Sequence, residues 1–230
     1  MIYKRPAADR GFFDHGWLKT WHSFSFGQYQ DPKQMGFRAL RVINEDRIAP
    51  GQGFGTHPHQ DMEILTYIVS GSLAHRDSTG NQEVIQAGEV QRMTAGMGIR
   101  HSEFNGSDQE EVHLLQIWLL PQSQGLTPGY EQKEIASDAP GLSLLASREG
   151  SDSAVKIHQD VRVYGGKLQA GEPWTLSLQG RRHVWVQVIA GQVQAHGEVL
   201  HPGDGLALAE EPVVDLQAQQ DAELLVFDLA

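Results

Sequence analysis

Hydrophobic positions along this chain fall in short runs that are rich in valine, isoleucine, leucine, tyrosine and tryptophan. Turn sequences such as SGS, STGN, QAGE, TAGMG, HPGD and QQDA separate these runs. Short β-branched and aromatic runs between glycine-rich turns are typical of β-strands. The clearest strands are predicted at 39–44, 63–69, 83–86, 113–120, 183–190 and 222–229. The pattern therefore predicts an all-β protein of sandwiches or barrels with few short helices.

An internal repeat refines this prediction. The stretches 68–93 and 188–208 share one order: a strand, a glycine, alternating residues that end in histidine, a second strand, then AGE or PGD before another strand. Hairpins in unrelated β proteins also look alike, but the shared order of features favours a duplication. In this alignment Gly71 matches Gly191. The chain is then expected to hold two related β-barrels.

The segment 121–153 is richer in glycine, proline and serine than its flanks, as expected where a chain passes between domains. We place the boundary near residue 135, which gives domains 1–134 and 135–230. The aromatic stretch WHSFSF (21–26) alternates like a half-buried strand, and we interpret it as core packing.

Composition narrows the function classes. A net charge of −11 repels phosphate backbones, which argues against direct nucleic-acid binding. The chain has no cysteine, so a metal site must be built from imidazole and carboxylate. The start of the chain lacks an apolar stretch of signal-peptide length, and no apolar run approaches the roughly 20 residues that span a bilayer. We therefore expect a cytoplasmic protein that binds neither nucleic acid nor membrane, and we expect a monomer.

The stretch GQGFGTHPHQDMEIL (51–65) carries the first candidate chemistry. Pro58 favours extended backbone before it, so His57 and His59 would lie on one face of a strand. Continued regular pairing would bring Asp61 and Glu63 to the same face. On a helix the same spacing would separate the two histidines by about 200°.

A second segment, QRMTAGMGIRHSEFN (91–105), repeats this arrangement. His101 and Glu103 are one residue apart after a glycine-rich turn and would share a face of a strand. A lone histidine pair is more often a surface feature than a ligand pair. Two such pairs together favour a metal site built from His57, His59, His101 and one carboxylate.

The other histidines have plainer interpretations. His75 is assigned to a hairpin, and His113 begins a core strand from which it could reach a cavity. The remaining ones have no paired context: His15, His22, His158, His183, His196 and His201.

At these residues the sequence resembles the cupin superfamily, and within it the pirin family. The first cupin motif matches at Gly51, His57, His59 and Glu63, with Gly71 one residue late. The second matches at the positions Gly88, Gly96, His101 and Asn105, although Thr94 replaces a proline and His101 comes two residues late. Both departures are similar to those of pirins, whose hallmarks HPH and MTAGxGIxHSE stand at 57–59 and 93–103. The histidine-poor second half resembles bacterial pirin-like quercetinases.

This resemblance implies a bicupin whose amino-terminal barrel binds metal and whose carboxy-terminal barrel has lost its ligands. Generic cupins would use Glu63 as the fourth ligand, whereas pirins would use Glu103. We expect Glu103 to bind the metal, with Glu63 nearby as an alternative, and either carboxylate could act as the catalytic base. The cofactor expected is one divalent transition metal, iron first, with manganese, nickel, copper, zinc and cobalt also compatible.

The activity that the resemblance implies is quercetin 2,3-dioxygenase, with a flavonol and O2 as substrates and carbon monoxide as a product. The alternative is a pirin without a physiological reaction, which binds metal and acts as a regulatory or redox-responsive protein through a protein partner. The sequence leaves the residues that contact the substrate unassigned.

Overall fold

The computed structural model describes residues 1–135 and 141–230, and strands dominate this part of the chain. The helical content of the described residues is one short 3₁₀ helix, Ala7–Asp9. The strands are β1 (Ile2–Arg5), β2 (Gly11–Asp14), β3 (Leu18–His22), β4 (Leu40–Ile48), β5 (Gly53–His59), β6 (Glu63–Ser70), β7 (Ser72–Asp77), β8 (Gln82–Gln86), β9 (Glu89–Thr94), β10 (Ile99–Asn105), β11 (Val112–Leu119), β12 (Gly129–Glu134), β13 (Ser143–Ser147), β14 (Val155–Lys156), β15 (Val161–Leu168), β16 (Pro173–Ser177), β17 (His183–Ala190), β18 (Val193–Ala195), β19 (Glu198–Leu200), β20 (Gly205–Ala209), β21 (Val213–Ala218) and β22 (Ala222–Leu229).

The all-β prediction is confirmed, and each strand predicted from the hydrophobic pattern is present. The interpretation of residues 21–26 as a half-buried strand is wrong after His22, where β3 ends. Ser23 and Ser25 are both buried, so the inward and outward alternation is lost. No helix in the described part of the chain is long and apolar enough to cross a membrane.

The strands form two barrels, each made of a seven-stranded and a four-stranded sheet. The first barrel has the orders β12-β9-β6-β11-β4-β3-β2 and β5-β10-β7-β8. The second barrel has the orders β1-β20-β17-β22-β15-β13-β14 and β16-β21-β18-β19. The predicted repeat is confirmed, because β6 to β9 and β17 to β20 hold equivalent positions in these orders. Gly71 and Gly191 both turn the chain at positive φ, 79° and 74°.

The amino terminus crosses to the second barrel. Strand β1 pairs with β20, with Tyr3 opposite Ala207, and so takes the edge position that β12 holds in the first barrel. One cut of the chain therefore does not separate the two sets of sheets. The boundary near residue 135 stays a prediction, since it adjoins residues 136–140, which lie outside the described residues.

The two barrels share a buried core. Phe24 of the first barrel packs against Trp185 of the second, with ring centroids 4.8 Å apart. The Tyr67 hydroxyl donates a hydrogen bond of 2.8 Å to Glu223 across the same interface. This packing fixes the seven-stranded sheet of the first barrel, whose other face lines the site described below.

Candidate metal centre and its cavity

Three imidazoles meet where β5 and β10 pair. The strands are antiparallel, with His101 opposite His57 and Ile99 opposite His59. The ring centroids lie 4.4 Å apart for His57 and His101, and 4.8 Å apart for each of the other two pairs. One nitrogen from each ring lies within 4.8 Å of the others, so the three could hold one metal ion. The two sequence segments thus converge.

Backbone geometry explains why the two segments can approach so closely. Gly51 has a φ of 64°, which glycine adopts without strain, and it turns the chain into β5. Gly53 then lies directly against the backbone of Glu103 and Phe104, where no side chain would fit. The register of the two strands shifts between His101 and Glu103, as in a β-bulge.

Glu103 is fully buried and lies beside the imidazoles. Its Oε2 accepts a 2.9 Å hydrogen bond from Gln116 Nε2, whereas its Oε1 has no partner. Burial raises the pKa of Glu103 to about 7, the Gln116 hydrogen bond opposes that rise, and the charge of Asp46 adds to it. The uncommitted oxygen is a donor atom that a cation could use.

The imidazoles have nitrogen atoms that no other protein group occupies. Burial is the largest cause that lowers the pKa of His101 to about 2, and the neighbouring His57 and His59 act in the same direction. Neither nitrogen of His101 has a hydrogen-bond partner. Burial lowers the pKa of His59 to about 4, with the charge of His57 acting in the same direction. His57 donates Nδ1–H to Gly55 O at 2.8 Å, which leaves Nε2 available. Buried, unpartnered imidazole nitrogens beside an unpartnered carboxylate oxygen fit a divalent transition metal.

Glu63 lies elsewhere, so the prediction that it shares the face of His59 is wrong. Asp61, at a φ of 48°, turns the chain between β5 and β6. Glu63 is completely buried and accepts 3.3 Å hydrogen bonds from the backbone N–H and from Nδ1 of His158. It therefore joins the first barrel to the second and does not line the cavity.

His75 has a role that the hairpin interpretation missed. His75 belongs to a second group that could hold a metal ion. In this group a nitrogen of His75, a nitrogen of His101 and an oxygen of Glu103 lie within 4.8 Å of one another. Nε2 of His75 lies 3.1 Å from Asp77 Oδ2, while Nδ1 has no partner. The signal in the sequence is the alternation of Leu73, His75 and Asp77 on the inward face of β7.

A cavity of about 340 Å³ opens beside the imidazoles, between the two sheets of the first barrel. Its apolar wall includes the aromatic side chains of Phe13, Phe26, Phe54 and Trp118. Its polar lining includes four residues of β3 and β4, Thr20, His22, Asn44 and Asp46, together with His15, Gln28 and Gln116. This volume lies in the range of about 300–1,000 Å³ that is typical of small-molecule sites.

Other histidines also differ from their sequence interpretation. His15 and His22, which had no paired context, both line the cavity. His113, from which a cavity could be reached, instead lies 2.9 Å from Glu45 through Nε2. Strand β11 directs it to the face of the sheet opposite to Gln116.

Comparison with known proteins agrees with this architecture. Residues 4–119 match the Pirin family model, and residues 144–229 match the model of the quercetinase C-terminal cupin domain. Quercetin 2,3-dioxygenase of Escherichia coli K12 is 49% identical over 229 residues, which cover 100% of this chain and 99% of that protein. A pirin-like protein of Caulobacter vibrioides is 42% identical, with 100% of both chains covered.

A solved structure is similar over the same length. The crystal structure of the E. coli bacterial pirin YhhW in complex with nickel(II) superposes with a TM-score of 0.95 at 49% identity, covering 100% of this chain and 99% of that one. Among the described residues of this chain, the groups that could hold a metal ion lie in the first barrel. The family match, the paired cupin barrels and the full-length similarity together show that the chain belongs to the pirin family.

Proposed function

We propose that this pirin is a metal-dependent quercetin 2,3-dioxygenase, which cleaves flavonols at the 2,3 bond and releases carbon monoxide. The observation that carries the proposal is a group of three imidazoles, His57, His59 and His101, that could hold a metal ion beside an apolar cavity of about 340 Å³, which Glu103 also lines. The full-length similarity to a protein named quercetin 2,3-dioxygenase supports the same reaction.

In this proposal the metal is held by His57, His59, His101 and Glu103. A divalent ion held by these residues would supply Lewis acidity that lowers the pKa of a hydroxyl, here the 3-hydroxyl of the flavonol. Iron is our first choice, and nickel, which the E. coli relative binds, suits the same donors, as do manganese, copper, zinc and cobalt.

Glu103 is our candidate for the general base. Its Oε1 has no protein partner, and Glu103 lines the cavity in which the substrate would lie. The Gln116 amide fixes the other oxygen, and Trp118 in turn donates Nε1–H to Gln116 Oε1 at 3.2 Å. This chain of hydrogen bonds holds the carboxylate in one orientation while it accepts the proton of the flavonol.

The aromatic walls have two effects on the substrate. Trp118 packs edge-on against His59, with centroids 4.9 Å apart, and Phe26 packs edge-on against Trp118 at 5.2 Å. These rings offer flat apolar surface for a planar flavonol and exclude water that would compete for the ionised substrate.

Aerobic incubation of the metal-loaded protein with quercetin tests the proposal directly. We expect loss of flavonol absorbance and formation of carbon monoxide, with metal-stripped protein as the control. Turnover no faster than in that control would reject the enzyme assignment and favour a metal-binding pirin that acts through a protein partner.

A further inference from the structure

The polar wall of the cavity is formed by a block of side chains on β3 and β4. Thr20 lies opposite Asp46 in the strand register, and His22 lies opposite Asn44. Asn44 in turn lies opposite Gln116 of β11. Since the imidazoles and Glu103 come from β5 and β10 of the other sheet, this block forms the wall opposite to the metal centre.

Two oxygen atoms of this block are buried without a partner. They are Asn44 Oδ1 and Asp46 Oδ1. Asn44 and Asp46 are each 3% exposed, and both residues line the cavity. An unsatisfied buried polar atom costs about 1–3 kcal/mol, so these two need an explanation.

Hydrogen bonds within the block determine which of its polar atoms remain free. The Thr20 hydroxyl donates to Asp46, and His22 Nε2 lies 2.9 Å from Thr20 Oγ1. His22 also forms a hydrogen bond to the backbone of Phe26, so the protein itself holds its ring. The free atoms of the wall are thus the oxygens of Asn44 and Asp46, which a hydroxyl donor would pair.

We propose that Asn44 and Asp46 form a subsite that binds a hydroxyl group of the substrate on the side of the cavity opposite the metal-binding imidazoles. The inference rests on the proposed function for the identity of the ring system, and it restricts the substrate class to polyhydroxylated flavonols. A flavonol whose only hydroxyl lies at the 3 position leaves the two oxygens unpaired. A flavonol with hydroxyls on its outer rings gains hydrogen bonds to these oxygens that the first compound cannot form, so it binds more tightly.

Two flavonols and two leucine variants test the subsite. Quercetin carries hydroxyls on both outer rings, and 3-hydroxyflavone has the same skeleton without them. Binding to metal-loaded protein under anaerobic conditions, measured by quenching of tryptophan fluorescence, reports affinity without turnover. We expect the parent to bind quercetin at least about tenfold more tightly, and Asn44→Leu and Asp46→Leu each to reduce that preference by about tenfold.

Thr66→Val is the matched control. Thr66 lies opposite Gln116 on β6, is completely buried and has an unpartnered hydroxyl, but it does not line the cavity. We expect this variant to retain the full preference for quercetin. Asp46→Asn keeps an acceptor oxygen and should retain the preference within about twofold. Thermal unfolding without flavonol should show that the leucine variants are as stable as the parent or more so, because each removes an unsatisfied buried group.

The outcomes separate the two proposals. Equal binding of both flavonols by the parent, or an unchanged preference in folded leucine variants, overturns the subsite even if quercetin is turned over. A preference that the leucine variants lose supports the subsite even if no flavonol is cleaved, and in that case only the proposed reaction fails. If a leucine variant does not fold, the alanine variant at the same position is measured by the same ratio.

Discussion

His57 and His101 are direct cross-strand partners, with ring centroids 4.4 Å apart although 44 positions separate them in the chain. This pairing joins the HPH and HSE segments into one site. Each histidine lies two positions before a second candidate ligand on its own strand, so this pairing brings His59 and Glu103 to the same region. Glu103 reaches the site through the bulge that follows His101.

Removal of either partner should release the metal. We expect His57→Ala and His101→Ala to carry little or no metal after purification, because each loses one of three imidazoles that no other group replaces. Elemental analysis of the purified proteins measures the stoichiometry. His201→Ala, whose side chain is exposed in the second barrel, should bind as much metal as the parent. Parent-like metal content in both site variants would show that the ligands are assigned wrongly.

Glu103 and Glu63 should respond differently to replacement by glutamine. Glu103→Gln keeps the shape but removes the charge, and we expect activity on quercetin to fall by about 10²-fold or more. Glu63→Gln should keep activity within a few-fold but lower the free energy of unfolding by about 1 kcal/mol, because it weakens the bonds to His158. Steady-state kinetics and urea denaturation distinguish the two. The reverse pattern would make Glu63 the functional carboxylate.

Two glycines of β5 offer a matched pair. Gly53→Ala would place a methyl group into the backbone of Glu103 and Phe104, so we expect β5 to move away from β10 and metal affinity to fall at least about tenfold. Gly55→Ala meets no atom within 4 Å and should leave affinity unchanged. Titration of metal-free protein with nickel measures both. Equal affinities would mean that the close approach at Gly53 does not position the site.

Acid should destabilise the fold through His22. Burial lowers the pKa of His22 from 6.5 to about 4, partly offset by a hydrogen bond to the Phe26 backbone, with smaller effects of His15 and Arg10. As the pH falls from 6.5 towards 4, the unfolded chain binds a proton that the folded chain does not, so stability decreases. His22→Gln removes this contribution, and its stability relative to the parent should rise between pH 7.5 and pH 5.

Urea denaturation of metal-free protein at these two pH values measures that difference. The control is His201→Gln, which should follow the parent at both values. A constant difference between His22→Gln and the parent would show that folding does not lower the pKa of His22.

Local patterns predicted much of the molecule. Alternation of apolar and polar residues identified the strands, and the spacing of His57 and His59 placed both rings on one face, because strand periodicity depends only on neighbouring residues. The repeated turn glycines revealed the duplication for the same reason. Gly71 and Gly191 must adopt positive φ wherever the hairpin lies in the fold.

Other features depend on segments that are distant in the chain. The spacing alone brought Asp61 and Glu63 to the face of His59, but a turn at Asp61 sends Glu63 to His158 of the second barrel. No local signal predicts that β1 pairs with β20 either. In the second barrel β1 takes the edge position that β12 holds in the first barrel.

The sequence by itself determined the fold class, the two-barrel repeat and the side-chain pairs that could bind a metal, because each follows from the geometry of a single strand or turn. Only the tertiary structure decided which carboxylate lies beside the imidazoles, and that His75, Asn44 and Asp46 surround the same site. The physical reason is register. Strand pairing over long separations decides which inward-facing side chains share a cavity, and that pairing is a property of the whole barrel.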